Sequence, residues 1–205
     1  MCGRFVLLVD LLAIAREFDI PGLSVHFSPS RNICPGQHIP AVVRRNGQNV
    51  LESYRWGLIP CWVKDPSIGS KLFNARAETL AEKPSFKNAF TRRRCLIPAD
   101  GFYEWKKEGN KKIPYSFGMK TGLPFYFAGL YETWTAPDQK KVETCTIITT
   151  QANDIVAPIH DRMPVIVPKV AQELWLNPQI KDPSELLDIL KPYPSGEMTC
   201  EPARL

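Results

Sequence analysis

The 205-residue sequence predicts a single α+β domain, a curved, barrel-like and mainly antiparallel sheet with short peripheral helices. Three observations predict it. Strand-like runs separated by short turns fill most of the second half. Asn46-Gly47 falls between two apolar runs, the pattern of a tight hairpin. Helical periodicity is confined to short stretches, and no repeat or low-complexity linker divides the chain.

Taken in order, Leu11, Ile14, Ala15 and Phe18 share a face, which predicts a short amphipathic helix over 10–18. Residues 28–38, punctuated by Pro and Gly, read as a loop. Strands over 39–45 and 50–59 flank the Asn46-Gly47 turn. A helix is expected over 77–90, interrupted at Pro84. Strands follow over 94–97, 101–106, 113–118, 124–134 and 142–149. Asn153 can cap a short helix over 153–157, and 163–167 is a further strand. Helices are expected over 171–176 and 184–190, the last capped by Ser184 after Pro183.

The composition excludes several function classes. An apolar share of 44% supports a sizeable core, and no apolar run is long enough to span a membrane. The start is broken by Arg4, Asp10, Arg16 and Glu17, so it does not read as a signal peptide, and an intracellular, reducing compartment is the expectation. Six cysteines, at 2, 34, 61, 95, 145 and 200, include no Cys-x-x-Cys pair, and there are three histidines. No metal site is therefore expected, and every cysteine except Cys2 reads as an isolated structural thiol. A net charge of +5 permits contact with phosphates without demanding it.

Four stretches carry polar groups in structured or aromatic surroundings. The first is Cys2-Gly3-Arg4-Phe5. Once Met1 is removed, Cys2 carries an α-amine and a thiol on adjacent carbons. With ordinary pKa values of about 7.7–8.0 and about 8.5, both are partly deprotonated near neutrality. Such a pair can add twice to an aldehyde, giving an imine and then a thiazolidine ring. The plainer reading is a small buried residue after the start. The second is Phe73-Asn74-Ala75-Arg76-Ala77-Glu78, where an Asn beside an Arg suits a substrate oxygen and a phosphate; Asn74 as a helix N-cap is the alternative. The third is Gly101-Phe102-Tyr103-Glu104-Trp105. Alternation puts Phe102 and Glu104 on one face, where desolvation would raise the carboxyl towards an acid/base range. A solvated Glu104 is the alternative. The fourth is Ile159-His160-Asp161-Arg162-Met163-Pro164, a charged loop around the side-chain type that exchanges protons near neutrality, although a lone His is often structural. Trp56, Trp62 and Trp105 offer stacking surfaces, and Arg4, Arg76 and Arg162 offer phosphate contacts. Arg92-Arg93-Arg94 reads as a basic patch or a solvated charge run.

These stretches, with Asn32-Ile33-Cys34-Pro35, Gln37 and Trp56-Gly57-Leu58-Ile59-Pro60 with Trp62, resemble the SRAP family, the SOS-response-associated peptidases or abasic-site processing proteins. The resemblance runs through residues 1–205, although many relatives are expected to continue past Cys200–Leu205. It implies covalent capture of abasic sites in single-stranded DNA through a thiazolidine at Cys2, with Asn74, Glu104 and His160 around it. Arg4, Arg76 and Arg162 would meet phosphates, and Trp62, Trp105, Asn32 and Pro35 would complete the DNA surface. No cofactor is implied. The expected partner is abasic single-stranded DNA, including single-strand/double-strand junctions, met by a monomer in the cytoplasm or at a bacterial nucleoid. A thiol autopeptidase step that frees Cys2 and a weak lyase side reaction belong to the same expectation. Two other readings stay open: an N-terminal-nucleophile amidohydrolase, and a plain single-stranded DNA-binding module in which Cys2 is incidental.

Overall fold

The computed structural model describes residues 2–204. Its centre is a closed five-stranded barrel. Strands β3 (His38–Arg45) and β4 (Gln48–Trp56) form the expected hairpin, with Asn46 and Gly47 both at positive φ in the turn. β3 also pairs with β6 (Arg94–Ala99), β6 with β9 (Phe125–Thr135), and β9 with β10 (Lys141–Gln151). β10 then returns to β4 in parallel and closes the ring. β5 (Asn74–Arg76) adds to β10 in parallel, and β11 (Arg162–Pro164) adds to it antiparallel.

A second sheet runs β12 (Met198–Pro202), β8 (Lys111–Met119), β7 (Gly101–Glu108), β1 (Phe5–Leu7), β2 (Ser30–Ile33), with all pairs antiparallel. Alternation along the barrel strands divides the apolar side chains into two cores. Val42, Leu51, Leu96 and Ala128 face outwards under helices α1 (Leu11–Glu17), α2 (Pro84–Arg92) and α3 (Gln172–Leu176). Ala41, Val43, Ile97 and Phe127 fill the interior, which continues into the second sheet through Phe5, Phe102 and Phe117. Phe5 meets Trp56 and Phe127 edge-on at 5.3 and 5.7 Å, and Phe102 stacks on Phe117 at 4.9 Å. These ring contacts fix β1, and so the chain start, against the barrel. Gly57, at φ +138°, passes so close to Gly69 that a Cβ would lie 2.5 Å from its carbonyl oxygen. That contact explains the glycine in Trp56-Gly57-Leu58.

Several expectations need correction. Pro84 does not interrupt a helix; it opens α2 from the first turn, where its missing N–H costs no bond. Residues 30–33 and 74–76 are strands, because each finds a partner edge that local sequence does not reveal, in β1 and β10. Residues 153–157 form turns held by Asn153 Oδ1, which accepts from Val156 N–H at 3.1 Å, rather than a helix. The last helical stretch is a 3-10 helix, Pro183–Leu190, capped by Asp182 rather than Ser184. The arginine run is split: Arg92 stays exposed, while Arg93 and Arg94 turn inward. Arg94 is buried and donates to the carbonyls of Phe90, Trp175, Asn177 and Ile180, and Arg93 pairs with Glu132. Cys95 and Cys145 are buried in the barrel, but Cys61 is exposed and is no packing thiol.

Candidate active site

Cys2 lies just before β1 and is wholly buried. The register Phe5↔Phe102 and Val6↔Gly101, continued by the Tyr103 N–H to Arg4 carbonyl bond at 2.9 Å, brings Gly3 opposite Glu104. Opposed residues of an antiparallel pair project on the same face, so Gly3 leaves the space above it to the Glu104 side chain. Glu104 is 3% exposed. Burial raises its carboxyl above the usual range, while the charge of His160 acts in the opposite direction. Burial also pushes the Cys2 thiol far up, and the nearby Glu104 charge pushes it further. The ordinary thiol value suggested by residue type does not hold in this pocket, where burial disfavours the thiolate.

His160 sits at the end of the turns after β10, its N–H bonded to the Val156 carbonyl at 3.0 Å. Its Nε2 lies 4.0 Å from a Glu104 carboxylate oxygen. Its Nδ1 accepts the Arg162 main-chain N–H at 3.0 Å, which leaves the proton of the neutral ring on Nε2, on the Glu104 side. The exposed Asp161 carboxylate lies 2.9 Å from Nδ1. Arg162 anchors the turn. Its guanidinium is buried, bidentate to Glu78 at 2.6 and 2.9 Å, and bonded to the Thr149 carbonyl at 2.6 Å. Its charge thus faces Glu78 and the barrel wall rather than solvent. The Glu78 carboxyl is held below its usual range by that guanidinium.

Asn74 stands on the barrel rim, where β5 pairs with β10 through Asn74↔Ile147. Its amide donates to the carbonyls of Phe73 at 3.0 Å and Ile147 at 3.4 Å. Its Oδ1 is buried and, among the described residues, has no hydrogen-bond donor. A buried acceptor without a donor is costly, so it is suited to an N–H or O–H that arrives with substrate. Phe73 packs on Trp56, which packs on Phe5, linking Asn74 to the Cys2 end of β1. Asn74 makes no bond to Cys2, Glu104 or His160 among the described residues.

Of the remaining expected residues, only Trp105 lines a cleft with Glu104 and His160; the others lie on separate elements. Arg4 lies over the Trp105 ring at 5.2 Å. Arg76 is exposed on β5, and Asn32 is exposed on β2 beside β1. Pro35 sits in a turn fixed by the Cys34 N–H to Gln37 Oε1 bond at 2.8 Å. Trp62, 59% exposed, projects from a loop anchored by the Trp134 indole N–H on the Val63 carbonyl at 2.8 Å. A cleft of about 430 Å³ is lined by Glu104, Trp105, His160, Lys107 and Lys112. A larger cleft, about 600 Å³ between Met119–Tyr126 and Val167–Lys169, is lined by none of Cys2, Asn74, Glu104 or His160 and carries no comparable chemistry. No group of three or more His, Cys, Asp or Glu that could hold a metal occurs among the described residues.

Fold and site together define a barrel protein in which the buried thiol of Cys2 lies near a buried acid, Glu104, and an imidazole, His160. The family pattern "SOS response associated peptidase (SRAP)" matches residues 1–204, and the chain belongs to that family. It is 46% identical over 201 residues to the Bacillus subtilis abasic site processing protein YoqW, spanning 97% of this chain and 90% of that one. It is 32% identical over 200 residues to the Escherichia coli abasic site processing protein YedK, spanning 91% and 85%. A crystal structure of a Bacteroides thetaiotaomicron protein superposes with a TM-score of 0.92 at 29% identity, covering 99% of this chain and 92% of that chain. No helix of the structure is long and apolar enough to cross a membrane.

Proposed function

We propose that this protein captures abasic sites in single-stranded DNA as a thiazolidine formed by its mature N-terminal Cys2. The supporting observation is a buried Cys2 thiol beside a buried Glu104 whose carboxyl is shifted up and faces His160. Removal of Met1, by an aminopeptidase or the chain itself, frees the α-amine. His160 relays the proton of the anomeric hydroxyl to the sugar ring oxygen through Nε2 as the C1′–O4′ bond breaks and the closed hemiacetal opens to the aldehyde, so the imidazole ends as it began. The amine adds to C1′, with Asn74 Oδ1 accepting an N–H to orient it. Glu104, as the neutral acid, gives its proton to the departing hydroxyl, leaving an iminium, water and a carboxylate. The thiol sulfur then bonds to C1′, and its proton passes to the Glu104 carboxylate. Glu104 ends as it began, and one water is lost overall.

The imine makes the C2′ protons acidic, so slow strand cleavage by β-elimination is a side reaction that ring closure suppresses. Arg4, Arg76, Asn32 and Pro35 line the backbone path, while Trp62 and Trp105 stack bases, which favours single strands and junctions. Arg162 acts mainly by holding the His160 turn. The protein works as a monomer in the cytoplasm, at the nucleoid in a bacterium.

The test is incubation with abasic single-stranded DNA, then heating, denaturing electrophoresis and intact-mass measurement. The expected product is heat-stable and heavier than the Met1-less protein by the oligonucleotide less one water. An equally heat-stable adduct from Cys2→Ser would sink the thiazolidine mechanism, and ammonia release from glutamine would favour an amidohydrolase instead.

A further inference from the structure

The outer face of the second sheet carries charge that the reaction at Cys2 does not use. Beyond Trp105, the β7–β8 register sets Lys107 opposite Lys112. Opposed residues of an antiparallel pair share a face, where like charges repel. One position further on, Glu108 faces Lys111, the favourable arrangement, and Glu108 also pairs with Lys106 at 2.8 Å. Lys107 and Lys112 are exposed and, among the described residues, neither forms an ion pair. Both line the cleft that contains Glu104, Trp105 and His160. With Arg4 over Trp105, the face presents a cation, a ring and then two cations in succession. Lys107 lies two residues along the strand from Trp105, about 6.6–6.8 Å, the reach of one extended nucleotide.

We infer that Lys107 and Lys112 form a phosphate subsite for one flank of the DNA strand whose lesion is held at Cys2. A phosphodiester between them replaces their mutual repulsion with attraction. The exposed Arg76 and Trp62 lie on elements of the barrel rather than of this sheet, so the lysine pair serves a single flank. The inference rests on the proposed capture of abasic DNA and adds a polarity to it.

The experiment compares crosslinking rates of three abasic oligonucleotides: a short core, the core extended only on its 5′ side, and the core extended only on its 3′ side. One extension is expected to raise the rate about 5–10-fold at low salt, and the other to leave it near the core value. In K107Q/K112Q that gain disappears, and the slope of log rate against log salt falls by about 0.7, the value for one phosphate on a single strand. Lys107→Glu, which places opposite charges across the strands, is expected to lose the gain while its Tm holds or rises. Loss of a purely structural role would lower Tm instead. An equal gain from both flanks, or an undiminished gain and slope in K107Q/K112Q, would overturn the subsite. Absence of any adduct from the wild type on all three substrates would instead overturn the capture reaction.

Discussion

Two glutamates of this fold, Glu52 and Glu104, occupy sheltered sites among aromatic rings and are tuned in opposite directions. Burial raises both carboxyls. At Glu52 it is outweighed, because Arg45 donates two bonds at 3.0 and 2.7 Å and Tyr54 donates a third. Arg45 also lies over the Tyr131 ring at 4.7 Å, completing a locked cluster. The Glu52 carboxyl therefore sits below its usual range. Glu104 faces an imidazole at 4.0 Å, and its carboxyl stays raised. A carboxylate held by a guanidinium is a structural part; one facing an imidazole can give and take a proton. Glu52 is also the more open of the two, but burial raises both, and the partner sets the direction of the final shift.

The most severe way to break the comparison is Glu104→Gln. Loss of the acid/base group is expected to slow crosslinking about 100-fold or more and to flatten its pH dependence. An unchanged rate across pH would remove Glu104 from that role. The same change should stabilise the fold at neutral pH, because burial raises the Glu104 carboxyl and so disfavours its charged form there. The sign follows from linkage: the native state favours the protonated acid, so the cost of Glu104 is absent below about pH 4.5 and appears as pH rises through the folded pKa. The thermal advantage of Gln should therefore fade on acidification.

A smaller effect sharpens the contrast through His160. Arg162→Lys keeps the charge but loses the bidentate hold on Glu78, so crosslinking should slow about 10-fold, while affinity for intact single-stranded DNA changes less than two-fold. A fall in the salt slope of binding would instead put Arg162 on a phosphate. The smallest expected effect on activity belongs to Glu52→Gln. It should cost about 1–2 kcal/mol in denaturant unfolding, a value held down because about a third of each partner is open to solvent. Crosslinking should stay within two-fold. The Glu52 pair gives its full stability above about pH 4.5 and loses it as pH falls through the depressed pKa. The deficit of this variant should thus shrink in acid, the same direction as the Glu104→Gln advantage but with opposite sign.

Much of the fold was legible where local chemistry decides it. Asn46-Gly47 fixed a hairpin, and alternation placed Phe102 and Glu104 together. The parallel closure of β10 on β4 was not legible, because it joins Thr144 to Arg55 across the chain without a local signature. β5 was obscured for the same reason: Asn74-Ala75-Arg76 is a strand only because the β10 edge is present. In the site, Cys2, Glu104 and His160 stood out as chemistry in apolar surroundings. The inward role of Arg162 did not, since its carboxylate partner lies 84 positions away. Lys107 and Lys112 are brought opposite each other only by the β7–β8 register. Glu108-Gly109-Asn110 between strands was the available signal for that register.

The complete burial of Cys2 has a consequence for survival under oxidative stress. Peroxide attacks the thiolate and needs access to the sulfur. A buried thiol with a raised pKa offers neither, whereas Cys61 is exposed and Cys34 partly so. Oxidants should modify those two sulfurs first and leave Cys2 in its reduced form. Under the proposed capture, this burial would act as a preservative, keeping Cys2 in its reactive form until abasic DNA reaches it.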